Sequence, residues 1–255
     1  MRIGELRGVP WRGLLAAGAA VLALSVGLTR PAHAATLTVT DFGDSGAPGQ
    51  LRTLINNAVA GDTIVIPPGT ITLPLSLDED ANATGDIDIR KDLTIQGVGA
   101  DRSAIIISGG ERVFDTFAPA TVTISNMTIR GGFGSNFGGG GGIRNAGTIT
   151  LTNVTVSGNT SSSDLGGGIA NSGTMTLTNV TVNGNTATGG GGIVNGGHEQ
   201  IIIGGAIVVT PIGGTLSMTG GIVSNNTGGG IFNVAGTATL TDVTISGNTA
   251  ISGIR

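Results

Sequence analysis

The chain lacks cysteine and tyrosine, and aromatic residues make up only 3% of its 255 residues. The absence of cysteine excludes a disulfide framework, thiol catalysis and cysteine metal sites, so packing alone must stabilise the fold. Charged residues are also scarce, at 11%, while the mean hydropathy is positive at +0.32. Low charge with net hydrophobicity is the reverse of a disordered composition, and we therefore expect a folded chain.

Glycine is abundant, with 48 residues, and a phrase of twelve residues recurs four times. The copies are TITLTNVTVSGN from Thr148, TMTLTNVTVNGN from Thr174, TLSMTGGIVSNN from Thr215 and TATLTDVTISGN from Thr237. They start 26, 41 and 22 residues apart, and the long interval contains an unrepetitive insert of 17 residues, 198–214. Without the insert the period is 22 to 26 residues, typical of a solenoid whose units bury their apolar faces against their neighbours.

The period inside the phrase indicates the type of solenoid. Ile149 and Leu151, and then Val154 and Val156, alternate with polar residues, which is the two-residue period of β-strands. Asn153 restarts the alternation one position out of step, and asparagine tolerates the left-handed conformation that a corner needs. A second repeated motif, GGGI-x-N, is expected to form another strand in each repeat. The sequence therefore predicts an all-β parallel β-helix of about eight coils, stacked about 4.8 Å apart.

Residues 1–34 have the composition of a secretory signal peptide. Three arginines precede an apolar run from Gly13 to Leu28, which is followed by Ala32-His33-Ala34. A membrane anchor is the alternative, but the run of about 16 residues is shorter than the roughly 20 that a span needs. We predict cleavage after Ala34, so that the secreted or surface-exposed domain, 35–255, begins at Ala35.

Export changes the charge balance of the chain. Removing residues 1–34 takes away four of the 12 basic residues and one of the 16 acidic residues, which leaves a net charge of −7. An acidic chain is poorly suited to nucleic acid or anionic membranes. We therefore expect no nucleic-acid partner, and we expect no transmembrane span in the mature chain.

One helix is predicted, over about residues 50–60, from Gln50 to Ala60. Its apolar residues fall at i, i+3, i+4, i+7 and i+8 and form a single stripe: Leu51, Leu54, Ile55, Ala58 and Val59. We expect this helix to cap the open N-terminal end of the core, because a solenoid exposes its interior there. No comparable element follows the last phrase, so we expect end-to-end self-association there, or a continuation in a longer parent chain.

Four segments of the chain resemble a known family. QLRTLINNAVAGDTIVIPPGTITL, DLTIQGVGADRSAIIISG, RVF and the repeated phrases are similar to bacterial secreted right-handed parallel β-helix proteins with repeats like those of polymorphic outer membrane proteins. The resemblance covers nearly all of the mature chain. It implies a right-handed helix and a non-enzymatic role in adhesion or interaction. The partner would be extracellular, a glycan or a host or cell surface, and no cofactor is implied.

Polysaccharide lyases and hydrolases share this fold and are the alternative function. They use carboxylates grouped on one outer face, and the best group here is Asp86, Asp88 and Arg90. With Ile87 and Ile89 facing inward, these three side chains lie together outside. Two such carboxylates can perform general acid–base catalysis or hold a hard cation.

Further oxygen ligands for such a cation lie in the preceding loop, at Asp78, Glu79 and Asp80. We nevertheless interpret the group at Asp86 as a solvated strand face with a neutralising arginine, because a well-placed histidine is missing. The one histidine of the mature chain, His198, lies in the insert and is expected in an exposed loop. We therefore assign no catalytic or metal-binding residue.

Asparagine and threonine are the polar residues that repeat. We predict two structural ladders of stacked amides, formed by Asn145, Asn171, Asn195 and Asn233, and by Asn159, Asn185, Asn226 and Asn248. Outward threonines in a T-x-T pattern resemble the surface of ice-binding proteins, which makes ice binding a third candidate function. Threonine also simply suits the outside of a strand, and we expect the insert and the third repeat to interrupt the rows.

Overall fold

The fold comes from a computed structural model that describes residues 34–74, 81–98, 103–107, 111–134, 138–162, 166–203 and 206–251. The chain divides into two units, Met1–His33 and Ala34–Arg255, and the first lies outside the described residues. The predicted signal peptide, 1–34, falls there except for its last residue, so its cleavage stays a prediction. Across the described ranges we find no helix with both the length and the apolar character that crossing a membrane requires.

Within the described ranges the chain forms one helix, α1 (Leu51–Asn57), and 23 strands. The first strands are β1 (Thr36–Thr38), β2 (Thr63–Ile66), β3 (Gly69–Leu73), β4 (Ile87–Ile89), β5 (Leu93–Gly97), β6 (Ser103–Ile107), β7 (Phe114–Thr116) and β8 (Thr121–Arg130). The next are β9 (Phe133–Gly134), β10 (Ile143–Asn145), β11 (Thr148–Ser157), β12 (Thr160–Ser161), β13 (Ile169–Asn171), β14 (Thr174–Thr178), β15 (Thr181–Asn183) and β16 (Ile193–Asn195). The last are β17 (Gly197–Ile203), β18 (Ala206–Ile212), β19 (Thr215–Thr219), β20 (Ile222–Ser224), β21 (Ile231–Asn233), β22 (Thr237–Thr241) and β23 (Thr244–Ser246).

Most of these strands join two parallel sheets. The larger, of 13 strands, runs β1-β2-β5-β8-β11-β14-β19-β22, with β3-β6 joining at β8 and β15-β20-β23 joining at β11. The second sheet, of six strands, runs β4-β7-β10-β13-β16-β21. Neighbours in both sheets come from successive repeats, so the chain is compatible with the predicted all-β parallel solenoid. Its handedness and the count of about eight coils stay predictions.

The alternation within each repeat decides which side chains enter the core. In β11, Ile149, Leu151, Val154 and Val156 are buried, whereas Asn153 is exposed and has a φ of 54°. This left-handed residue shifts the alternation by one position and turns the chain, as predicted for a corner. Left-handed residues stand at the equivalent corner of the other repeats, with φ between 53° and 65°: Asn126, Asn179, Gly220 and Asp242.

The inward side chains form a core of isoleucine, leucine, valine and methionine. In register across the sheet, Ile124, Leu151, Leu177 and Met218 lie side by side, and each is 0% exposed. Burying one such side chain contributes about 1.5 to 3 kcal/mol to stability. Truncation, as in Leu177→Ala, therefore costs about 2 to 5 kcal/mol once the cavity is included.

The helix α1 is shorter than predicted and ends at Asn57. Its carbonyl groups near the C-terminus accept hydrogen bonds from Nζ of Lys91, which lies 2.8 Å from the Ala58 oxygen and 3.2 Å from the Ile55 oxygen. A cation at this end satisfies carbonyls that have no partner inside the helix. Because the chain becomes extended at Ala58, the predicted stripe does not reach Val59, which is 47% exposed. Leu51 and Ile55 do enter the core, while a capping role stays a prediction.

The predicted insert, 198–214, forms an antiparallel β-hairpin. Its strands β17 and β18 pair with Gly197 opposite Ile212, so the hairpin leaves and rejoins the repeat at one place. The strands on either side of it, β14 and β19, therefore pair directly, with Thr174 beside Thr215. The hairpin adds two strands without shifting the register of the repeat that follows.

The last described strands are more exposed than their equivalents in earlier repeats. Leu240 in β22 is 40% exposed and Ile245 in β23 is 50% exposed, whereas the equivalent Leu177 and Val182 are buried. Among the described strands, none pairs with the outer edges of β21, β22 and β23. End-to-end self-association of the chain stays a prediction.

Candidate functional site

The carboxylate pair identified in the sequence, Asp86 and Asp88, is buried rather than solvated. Asp86 is 1% exposed and Asp88 is 4% exposed, so the predicted solvated strand face is wrong at both positions. Arg90 is exposed, and its guanidinium carbon lies 3.5 Å from the centre of the Phe117 ring. The arginine therefore stacks on an aromatic face.

A segment preceding β4 folds back over the carboxylate pair. The backbone N–H of Asn82 donates to Oδ2 of Asp88 at 2.8 Å, and the Asp88 N–H donates to the Asn82 side chain at 3.1 Å. Arg52 of α1 holds this segment from the other side, because its guanidinium donates to the carbonyls of Gly85 and Asp86, each at 2.6 Å. Asp44 pairs with Arg52 at 2.7 Å and balances its charge. Arg52 therefore fixes the backbone that leads to Asp86, and Asn82 covers Asp88.

A third carboxylate joins the pair from the neighbouring strand. β4 and β7 pair with Asp88 beside Asp115, which is 0% exposed. Nη1 of Arg112 lies 3.1 Å from Oδ2 of both Asp86 and Asp115, and Nη1 of Arg144 lies 2.8 Å from Oδ2 of Asp115. We refer to Asp86, Asp88, Arg112 and Asp115 as the carboxylate cluster.

Sequence reasoning missed Arg112 and Asp115. The available signal was a charged residue on each side of Val113 and Phe114, in a chain that carries few charges. Alternation alone does not connect these residues to Asp86, because the connection depends on the register of β4 against β7. The pairing of distant strands is therefore the information that the sequence pattern lacked.

The electrostatics of the carboxylate cluster favour one protonated acid. Burial raises the pKa of Asp86 to about 8, because an ionised carboxylate loses its hydration there. The positive charge of Arg112 lowers the same pKa, whereas Asp88, Asp115 and Glu111 raise it further. At neutral pH the Asp86 carboxyl therefore keeps its proton, which reduces the negative charge that Arg112 must balance.

The carboxylate cluster has ligands that a hard cation can use, since Asp86, Asp88 and Asp115 each place one oxygen within 4.8 Å of the others. Arg112 already supplies a positive charge to two of these acids. General acid–base catalysis requires contact with a substrate atom, and acids this deeply buried do not reach a polymer outside. We interpret the cluster as an internal ion network that links the start of β4 to β7.

Two other sets of sequence candidates fall wholly or partly outside the described residues. Asp78, Glu79 and Asp80, considered as metal ligands, lie within 75–80 and are not described. The backbone of His198 belongs to β17, so its predicted place in a loop is wrong, because the insert forms a hairpin. The side chain of His198 lies outside the described part of the structure.

Two columns of asparagine run along the stacked repeats. In the first, Nδ2 of each amide donates to Oδ1 of the next at 2.7 or 2.8 Å, in the order Asn145, Asn171, Asn195 and Asn233. In the second, the same contact spans 2.8 to 3.0 Å, in the order Asn159, Asn185, Asn226 and Asn248. Six of the eight residues are at most 1% exposed. These six amides satisfy one another inside the protein, whereas Asn233 is exposed and Asn248 is half-buried at the ends of the columns.

A regular surface in the described repeats consists of three columns of outward hydroxyl side chains on β8, β11, β14, β19 and β22. We call this surface the threonine face. Its columns are Thr121, Thr148, Thr174, Thr215 and Thr237; Thr123, Thr150, Thr176, Ser217 and Thr239; and Ser125, Thr152, Thr178, Thr219 and Thr241. All of these side chains are exposed or half-buried. The predicted interruption by the insert is wrong, because the hairpin leaves the register intact.

The middle column of the threonine face extends further towards the N-terminus. Thr123 pairs with Thr94, Thr94 with Thr63, and Thr63 with Thr36. A hydroxyl side chain therefore occupies this position on eight successive parallel strands, from β1 to β22. The column is longer than the repeated phrases alone predict.

Comparison with known proteins adds no identification to this geometry. No family model, no curated protein and no solved structure matches the chain. The resemblance to secreted β-helix proteins with polymorphic outer membrane protein-like repeats therefore stays a prediction, and function must be argued from the surface itself.

Proposed function

We propose that the chain is a non-enzymatic protein, secreted or held at the cell surface, that binds an extended extracellular partner through its threonine face. The observation that carries this proposal is the unbroken register of three hydroxyl columns over β8, β11, β14, β19 and β22. The proposal includes export by cleavage after Ala34, a right-handed solenoid of about eight coils and a capping role for α1.

The threonine face has the chemistry of a binding surface for polar polymers. Each threonine hydroxyl donates one hydrogen bond and accepts two, which suits glycan hydroxyls. The branch at Cβ restricts the side chain to few rotamers, so little conformational entropy is lost on contact. The three columns contain no charged residue, so no ion must be desolvated when a neutral partner binds.

The alternative function, a polysaccharide lyase or hydrolase, has no comparable support among the described residues. Its best acids, Asp86 and Asp88, are enclosed by Asn82 and by the guanidinium of Arg52. A glycosidase needs two carboxyl groups that flank the bond to be cleaved. Acids without solvent contact do not meet that requirement.

A glycan array run beside lyase and hydrolase assays on acidic polysaccharides tests the proposal. We expect binding without turnover, and we expect binding to be lost when Thr150 and Thr176, at the centre of the face, are both changed to lysine. The matched control is Thr155→Lys with Thr181→Lys. These residues lie in the same two repeats as Thr150 and Thr176 but outside the threonine face. Turnover that Asp86→Asn abolishes in folded protein would overturn the proposal, and so would binding that survives Thr150→Lys with Thr176→Lys.

A further inference from the structure

The threonine face repeats in two directions. Its columns stand two residues apart along each strand, which is about 6.6 Å, and neighbouring strands lie about 4.8 Å apart. The pairing from β8 to β22 contains no bulge and no change of register. A partner that uses all three columns on all five strands must repeat in two directions as well. A single polysaccharide chain repeats along one direction, whereas the surface of a crystal repeats along two.

The composition of the threonine face is uniform, with thirteen threonines and two serines among its fifteen positions. The adjoining face of the same repeats is formed by the ends of β8 and β11 with β15, β20 and β23. Its outward columns are mixed: Thr128, Thr155, Thr181, Ile222 and Thr244; and Arg130, Ser157, Asn183, Ser224 and Ser246. Strand propensity favours threonine equally on both faces. Propensity therefore does not explain why only one of them excludes every other kind of side chain.

Threonine side chains at regular spacings can bind water molecules in an ordered array. The threonine hydroxyl donates and accepts hydrogen bonds, and the branched Cβ restricts χ1 to few values. Waters bound along such columns are held at regular intervals, and bridging waters stabilise a contact nearly as well as direct hydrogen bonds. The adjacent methyl groups add apolar contact. The buried residues beneath the face, such as Ile149 and Leu151, hold the strands rigidly before any contact forms.

We infer that the threonine face binds the surface of ice. Ice offers hydroxyl donors and acceptors in a two-dimensional lattice, and this lattice uses the periodicity, the neutrality and the rigidity of the face together. This inference rests on the proposed function, because it assigns a ligand class to the same surface. It predicts that the contact requires several neighbouring columns at once, since each hydroxyl contributes little alone.

Incorporation of the full chain into slowly growing ice tests the inference. A fluorescently labelled protein is frozen from one side, and its concentration in the ice is compared with that in the remaining liquid. We expect the wild type to be enriched in the ice. We expect the Thr150→Lys, Thr176→Lys variant, which we call the central variant, to be excluded from it. The control variant, Thr155→Lys with Thr181→Lys, places two lysines on the adjoining face of the same two repeats. We expect it to be enriched as the wild type is.

Folding of both variants is checked by circular dichroism and by urea unfolding before freezing. Should the central variant unfold, Thr239→Lys in the exposed strand β22 provides a second test, and we expect it to reduce enrichment. Exclusion of the wild type from ice overturns the inference. Equal enrichment of the central and control variants also overturns it, because the contact then lies elsewhere.

The glycan array separates this failure from failure of the proposed function. A wild type that is excluded from ice but binds a glycan, with binding lost in the central variant, refutes ice binding and supports the broader proposal. A wild type that is excluded from ice and binds no glycan refutes both. Enrichment in ice that the central variant loses supports both.

Discussion

The carboxylate cluster and the threonine face lie on strands built by the same alternation, yet one is buried and the other meets solvent. Ile87 and Ile89 enter the core beside Asp88, just as Ile149 and Leu151 do beside the threonines. The difference is what lies over the outer side of the strand. Arg52 and the segment 81–86 enclose the first region, whereas nothing described lies over the second. The alternation of apolar and polar residues along a strand therefore decides which side chains point away from the core. Whether those side chains reach water depends on which other segments cover the strand.

The largest expected effect comes from removing the central cation of the buried region. Arg112→Met leaves Asp86 and Asp115 without the guanidinium that contacts both. We expect the free energy of unfolding to fall by about 3 to 5 kcal/mol, because the buried Asp86 carboxyl loses its donor and the buried Asp115 carboxylate loses one of its two arginines, keeping the partly exposed Arg144. Urea titration measures this change.

The matched control for Arg112→Met is Arg90→Met. Arg90 is exposed and stacks on Phe117, so we expect a loss of less than about 1 kcal/mol. Similar losses for the two variants would show that the carboxylate cluster is not an enclosed ion network, and the contrast between the two regions would fail.

The asparagine columns give the next largest effect, inside the regular repeats. The Asn185 amide donates to the Val156 carbonyl at 2.9 Å and to Oδ1 of Asn226 at 3.0 Å, and it is 0% exposed. Asn185→Ala removes the donor to the Val156 carbonyl and the acceptor of the Asn159 backbone N–H at 3.0 Å, so we expect a loss of about 1 to 3 kcal/mol in urea unfolding.

Asn183, two residues away and half-buried in β15, is the control for Asn185. Its Oδ1 accepts longer hydrogen bonds from Ser224 and Asn225, at 3.4 and 3.2 Å. We expect Asn183→Ala to change stability by at most about 0.5 kcal/mol. If Asn185→Ala costs no more than this control, the column does not stabilise the repeats.

The pH dependence of stability gives the smallest predicted change, when the change is counted per pH unit. Between its ordinary pKa of 3.8 and its folded pKa of about 8, Asp86 holds a proton in the native state and loses it on unfolding. Stability therefore falls as pH rises through this window, with the unfolding equilibrium constant rising at most about tenfold per pH unit, and it levels off above the window. Asp86→Asn removes the ionisation and should flatten this part of the profile. A variant whose profile from pH 4 to 8 matches the wild type would show that the Asp86 carboxyl is ionised in the native state.

Features with local causes could be predicted from the sequence. The alternation in TITLTNVTVSGN placed Ile149, Leu151, Val154 and Val156 in the core, and the step at Asn153 predicted a left-handed corner. These succeed because a two-residue period and a preferred backbone conformation depend only on neighbouring residues.

Features with distant causes could not be predicted in the same way. The helix α1 ends before Val59, and Lys91 from a different part of the chain binds the carbonyls there. Arg52 lies in the predicted helix between the apolar residues of the stripe, and the helical pattern does not predict that it binds the Asp86 backbone carbonyl. The threonine face is unbroken because the insert folds into a hairpin and leaves β14 paired with β19. The repeated phrases do not contain the insert, so they could not predict this pairing.

The most direct test of the account measures binding by the wild type, by Asp86→Asn and by the Thr150→Lys, Thr176→Lys variant, on the glycans that the wild type binds and at equal folded fraction. We predict that Asp86→Asn binds as the wild type does, because the carboxylate cluster is internal, and that the Thr150→Lys, Thr176→Lys variant does not bind. Loss of binding in Asp86→Asn with normal binding by the Thr150→Lys, Thr176→Lys variant would contradict this prediction.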